Sequence, residues 1–166
     1  MLLRTHVAFT WGLLSLFALI TGNELTIAWA ILVSGTANSL IDKLGHEERV
    51  HGRRTIVARS PRTHTPLKAS LWGLLASIMI SVIAYLTSPG LLNTLIVTSM
   101  GPIAGLSHLL LDAFTEHGIY VRQGNHWKRW GIAHMRYDNP LGNGLATLTG
   151  IMLVVLVIAV LFHIIS

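Results

Sequence analysis

Apolar runs of nearly membrane-crossing length alternate with polar stretches along this chain. Residues 6–22, 26–41, 69–87, 91–116 and 145–162 are dominated by aliphatic, small and hydroxyl side chains. At 1.5 Å of rise per helical residue, about 20 residues cross the roughly 30 Å hydrocarbon core of a bilayer. The pattern therefore predicts five transmembrane helices in up-and-down order, forming one membrane-embedded all-α domain over residues 1–166. Polar turns at 23–25 and 88–90 close two antiparallel hairpins. Pro102 is expected to kink the fourth helix, whose last turns then sit at or just beyond the interface. No convincing small-residue cleavage site follows the first apolar run, so it is expected to be retained rather than removed as a secretory signal.

Two polar loops, 42–68 and 118–144, separate the later spans. In an up-and-down arrangement they share one side with the N-terminus. All 12 Lys and Arg residues fall on that side, and the positive-inside rule makes it the cytoplasmic face of the cell membrane. Composition agrees with a membrane protein: 52% of residues are hydrophobic, 11% are charged, and the mean hydropathy is +0.60. The net charge of +5 is then largely a statement about topology rather than about nucleic acid. The 42–68 loop also lacks the aromatic residues on which bases stack. Its Arg53, Arg54, Arg59 and Arg62 read most simply as anchors at an anionic leaflet, which makes membrane lipid the expected partner.

The chain has no cysteine and nine histidines, so a transition-metal site must be built from imidazole and carboxylate. His6 opens the first span, Asp42 closes the second, His64 precedes the third, and His108 with Asp112 closes the fourth. Four elements thus deliver ligand-type side chains to one face. His108 and Asp112 are spaced i, i+4 and share a helix face, and ionisable residues at the end of an apolar span are functional suspects. Neutral imidazoles and carboxylates suit Zn²⁺, with Mn²⁺ the second choice, and a catalytic site keeps one coordination position for water. Asn38 and His46 extend the face of Asp42 by one turn in each direction, although Gly45 is placed to end that helix. His117, or the His134/Asp138 pair, offers material for a second ion, but each reads more simply as a solvated loop residue. Asp42 is the candidate base, and Arg62, two residues from His64, is the candidate clamp for a substrate anion.

Thr5-His6, the Asp ending the second apolar segment, Arg-Thr-His-Thr at 62–65 and Ser-His-x-x-x-Asp-x-x-Thr-x-x-Gly at 107–118 together resemble the YdjM-type family of inner-membrane metal-dependent hydrolases, especially its archaeal branch. The resemblance covers most of the chain and implies a membrane-embedded hydrolase similar to zinc-dependent phospholipase C. The ligands it implies are His6, Asp42, His64, His108 and Asp112. The chain departs from the family pattern at Leu40, where a second Asp is common, and at Arg59-Ser60-Pro61, where His-Arg-Gly is usual. The expectation is a divalent-metal hydrolase of a phosphoester, with lipid as the substrate class. The competing class is a non-enzymatic membrane protein, either a metal-ion carrier or a structural subunit. A carrier calls for ligands near the bilayer midplane, where this chain offers only small hydroxyl groups.

Overall fold

The structure is a computed structural model; it describes residues 1–51 and 54–164, and gives the backbone alone for 47–51 and 54–58. It is an all-α bundle. Its helices are α1 (Leu3–Ser15), α2 (Phe17–Thr21), α3 (Leu25–Gly45), α4 (Pro66–Thr87), α5 (Leu91–Ala113) and α6 (Pro140–Leu161). With α1 and α2 taken as the single span Leu3–Thr21, five helical spans are long and apolar enough to cross a membrane. The first span breaks at Leu16, where the Ser15 hydroxyl has bonded back to the Trp11 carbonyl at 2.8 Å, a contact that bends helices. Gly22 then ends it in the left-handed conformation, at φ 61°.

Both polar loops hold more structure than their composition predicts. Residues His46–His51 (β1) pair antiparallel with Arg54–Arg59 (β2), and Ile119–Gln123 (β3) pairs with His126–Trp130 (β4). The first hairpin sets His46 opposite Arg59, returning the chain to the end of α3. A Ser60 N–H to Gly45 carbonyl bond of 2.8 Å closes that return. Helix α4 begins at Pro66, three residues before its hydrophobic run. Thr65 is extended, as a residue before proline prefers, and Pro66 takes the first helical turn, where its missing N–H costs nothing. Helix α6 likewise starts at Pro140, capped by the Asn139 side chain accepting from the Gly142 N–H at 2.9 Å. Helix α5 runs through Pro102 as one element and stops at Ala113, earlier than the expected residue 116.

Close helix approach comes from small residues. Ala69, Gly73 and Ser77 lie one turn apart on α4 and face Gly101 and Gly105 of α5. A β-carbon at Gly105 would collide with the Ala69 carbonyl, and one at Gly101 with the Gly73 carbonyl. The Ser77 hydroxyl donates to the Thr98 carbonyl across this contact at 2.8 Å. Without a hydrophobic drive between helices in lipid, such intimate packing and interhelical hydrogen bonds hold a bundle together. Leu14, Val33, Ala37, Ile80, Val97 and Met100 fill the centre. The outer faces of α4 and α6 expose Leu71, Leu75, Met79, Val82, Leu145, Leu148, Met152 and Val155. A contiguous apolar surface of this kind suits hydrocarbon rather than water.

The small-residue contact carries a direct test. Gly105→Ala forces α4 and α5 apart and should lower the thermal unfolding midpoint in detergent, an overpacking cost of about 1–3 kcal/mol. Gly35→Ala, at a helical glycine whose β-carbon would meet nothing within 4 Å, should leave the midpoint unchanged or raise it. Equal effects at both positions would contradict the packing described.

Candidate metal centre

The up-and-down order brings the starts of α1, α4 and α6 and the ends of α3 and α5 to one end of the bundle. There the five expected ligand residues meet. Asp112, in the last turn of α5, is fully buried. Its Oδ1 lies 3.1 Å from His6 Nε2, and its Oδ2 lies 3.2 Å from His108 Nε2 and 3.4 Å from His64 Nε2. Asp42, at the end of α3, faces the same group, with Oδ1 at 3.5 Å from His108 Nε2 and 3.9 Å from His64 Nε2. The His6 and His108 rings stack with centroids 4.0 Å apart, and the His64 ring stands edge-on to His108 at 5.4 Å. His108 and Asp112 are both fully buried within the protein, in the last two turns of α5.

These rings approach the carboxylates without bonding to them. The Nε2 atoms of His6, His64 and His108 and the Oδ2 of Asp112 are buried, and each lacks a hydrogen-bond partner among the described residues. An unpaired buried polar atom costs about 1–3 kcal/mol. Nitrogen and oxygen donors clustered this closely, with no sulfur among them, fit a divalent cation. Buried His6, His108 and Asp112 form one group able to hold a metal ion, and Asp42, His46 and His64 form another.

The far sides of two imidazoles are anchored, and for His108 the anchor fixes which nitrogen faces inward; His6 Nδ1 has no hydrogen-bond partner among the described residues. His108 Nδ1 bonds to Asn38 Oδ1 at 2.8 Å, and the Asn38 amide nitrogen donates to the Ser34 carbonyl at 2.8 Å. Asn38 can therefore only accept from His108, which leaves Nε2 as the lone-pair nitrogen. His64 Nδ1 pairs with the Thr63 hydroxyl at 2.8 Å. A side chain at Gly45 would drive into Thr63 Oγ1 and the His64 ring, so the end of α3 has room for His64 only with glycine there. Burial holds the His64 imidazolium far below its ordinary range, to about 2, with the neighbouring His108 pushing the same way. His64 is thus neutral, and a competent ligand, throughout the physiological range.

The hairpins supply what the helices lack. Arg59, read from the sequence as a leaflet anchor, is instead buried at the end of β2, where its Nη2 reaches Asp112 Oδ1 at 2.5 Å. Its Nη1 donates to Thr115 Oγ1 at 3.0 Å and to the Gly118 carbonyl at 3.2 Å. Tyr120, on β3, holds this arginine by an O–H donated to the Arg59 carbonyl at 2.9 Å, and its N–H donates to the His64 carbonyl at 2.8 Å. The Met1 amino group also donates to Asp112 Oδ1, at 3.0 Å. Asn143 ties the start of α6 to α1, accepting from the Thr5 hydroxyl at 2.8 Å beside His6. The one sequence signal for Arg59 is its closeness to the Arg-Thr-His-Thr segment.

The other sequence candidates are more exposed. Arg62 is exposed and presents its carbonyl to Trp72 Nε1 at 3.3 Å. His46 is partly exposed, with Nε2 at 3.9 Å from Asp42 Oδ1. His117 lies against Glu116, His134 is exposed at φ 51°, and Asp138 is paired with Arg136 at 3.0 Å. These last three do not assemble into a group of ligands among the described residues, so the second ion offered by the 118–144 loop is not formed there. Arg53 lies outside the described residues, as does the side chain of Arg54.

A family model described as "Protein of unknown function (DUF1286)" matches residues 1–111, a span containing His6, Asp42, His64 and His108 and ending one residue before Asp112. No curated protein and no solved structure matches the chain.

Asn38 offers a test that leaves every ligand in place. Asn38→Leu keeps the branching and heavy-atom count of the side chain but removes the acceptor that orients His108. Zn²⁺ affinity, measured by competition with a chromophoric chelator, should fall by about 10–100-fold, as it does when such supporting partners are lost. Unchanged affinity would remove Asn38 from the site.

Proposed function

We propose that this chain, which belongs to the DUF1286 family, is a membrane-embedded metal-dependent hydrolase acting on a phosphoester, with lipid as the substrate class. The observation that carries this reading is the convergence of unpartnered Nε2 atoms from His6, His64 and His108 on the buried Asp112 carboxylate, beside Asp42. Zn²⁺ is the ion best matched to three imidazoles with carboxylates, and Mn²⁺ is the next. When bound, such an ion supplies Lewis acidity toward a phosphoryl oxygen and makes water more acidic.

The remaining chemistry belongs to the chain. Two carboxylates face one guanidinium in the site, so a divalent cation leaves it positive and receptive to an anionic ester. Asp42 has 15% of its side chain exposed while that of Asp112 is fully enclosed; it is therefore the carboxylate open to the aqueous side and takes the proton of an attacking water. Arg59 holds Asp112 in place. Arg62, exposed just before α4, receives the substrate's phosphate.

The lipid assignment draws on a groove of about 630 Å³ between α1 and α6, lined by Leu2, Arg4, Thr5, Asn143, Leu148 and Ile151 among others. Its wall is apolar along α6, and its head is polar beside Thr5, the residue preceding His6. An acyl chain lying there would carry its headgroup toward the site. The resemblance to the YdjM-type hydrolases supports the same class. The one-sided placement of the basic residues supports a cytoplasmic position for the site in the cell membrane. Ligands at the end of the bundle, rather than on broken helices at its centre, favour a hydrolase over a carrier.

The test pairs metal content with turnover. Wild type, Asp112→Asn and His108→Ala, purified side by side in one detergent, are assayed for bound Zn²⁺ and for hydrolysis of a panel of phospholipids. Both variants should lose metal while keeping their helical circular dichroism, and both should lose at least about 100-fold in kcat/KM. His108→Ala/Asp112→Asn should be little worse than either single change, because ligands of one centre act as a unit. Equal metal in wild type and variants would leave the bundle standing and remove the hydrolase. Metal loss without phosphoester turnover in wild type would favour a binding or carrier protein.

A further inference from the structure

The centre holds more donors than one ion uses. Nε2 of His6, His46, His64 and His108, Oδ1 of Asp42 and both oxygens of Asp112 form a chain of neighbours separated by 3.1 to 3.9 Å. Donors around one tetrahedral Zn²⁺, with bonds of about 2.0–2.2 Å, stand roughly 3.3–3.5 Å apart. Zn²⁺ takes four protein ligands in a structural site, and three plus water in a catalytic one. Seven donors exceed either number.

They separate into two trios that share no residue. His6, His108 and Asp112 are all buried, and their ligand atoms lie within 4.8 Å of one another; the same limit holds for Asp42, His46 and His64. We propose that the centre takes two divalent cations, an inner one held by His6, His108 and Asp112 and an outer one held by Asp42, His46 and His64. This rests on the metal-dependent reading above and adds a second ion and His46 to it.

Three observations carry the outer site. His64 Nε2 is fully buried and without a hydrogen bond among the described residues, although it lies beside Asp42 and Asp112. His46 is delivered by a local device: α3 ends at Gly45, and His46 turns to extended geometry while its N–H still bonds to the Asp42 carbonyl. Its ring thereby comes to 5.8 Å from that of His64, across the Asp42 carboxylate. Finally, each carboxylate reaches a histidine of the other trio, Asp42 to His108 at 3.5 Å and Asp112 to His64 at 3.4 Å. Negative charge therefore lies between the two positions, where it offsets the repulsion of neighbouring cations.

The two sites differ in access. The inner trio is sealed, while His46 has 38% of its side chain exposed and Asp42 has 15%. The outer ion is accordingly the exchangeable one that faces substrate, and the inner ion is retained. Paired ions about 3.5–4 Å apart are suited to gripping both oxygens of an in-line displacement at phosphorus.

The experiment counts ions on the full-length protein in detergent, after loading with Zn²⁺ and desalting, by elemental analysis against amino-acid analysis. Wild type should hold two ions per chain and His46→Ala one. Graded chelation of wild type should remove the ions in two steps. One ion in both proteins, leaving in one step, overturns the second site while the hydrolase reading survives; no ion in wild type removes both. If His46→Ala does not fold, loading wild type with Mn²⁺ decides the matter by electron paramagnetic resonance. Exchange-coupled spectra are expected at full loading, and an isolated six-line signal at saturation would overturn the proposal.

Discussion

The Asp112 carboxylate is the constraint around which this structure is built. Burying an isolated carboxylate costs far more than a marginally stable fold can supply, so the chain must surround it with compensation. It does so with Arg59 on one oxygen and three imidazoles around the pair. The Thr115 hydroxyl that bonds to the Asp112 carbonyl at 2.8 Å also receives Arg59, so the end of α5 and the end of the first hairpin are held as one unit. The imidazoles do not complete the compensation: the His108 lone pair faces the carboxylates, and Asp112 Oδ2 and the Nε2 atoms of His6 and His64 have no hydrogen-bond partner among the described residues. A cation between them would resolve the conflict, and this is the physical content of the metal proposal.

The apolar part of the bundle serves the same end. Gly73, Gly101 and Gly105 let α4 and α5 approach until the start of one and the end of the other bring His64 and His108 to a single point. Gly12 and Gly150 do the same for α1 and α6, where Asn143 accepts from the Thr5 hydroxyl next to His6 in the chain. Rigidity is bought with small residues in the span, and the polar cluster is confined to one end where both hairpins cover it.

Much of this was legible in the residues themselves. The five spans follow from apolar runs near 20 residues, and the clustering of His6, Asp42, His64, His108 and Asp112 follows from where they stand relative to the ends of those runs. Asn38 is visible as the residue one turn before Asp42. Arg59 is not legible, because its burial depends on the β1–β2 register and on a bond to Gly118 59 positions away. Among several basic residues in one polar loop, nothing local distinguishes it from a surface anchor. The hairpins are hidden for a similar reason: their strands carry mixed charge with no clean alternation, and cross-strand pairing rather than propensity defines them. The helix starts at Pro66 and Pro140 escape a hydropathy reading but not a proline reading.

X-ray absorption at the zinc edge of the purified, metal-loaded protein tests the central claim most directly. The account predicts nitrogen and oxygen neighbours at about 2.0–2.2 Å, with the multiple-scattering features of several imidazoles and no sulfur. Those imidazole features should weaken in His64→Ala while the helical content persists. A shell of oxygen neighbours alone, as for an ion held at the surface by water and carboxylate, would contradict it.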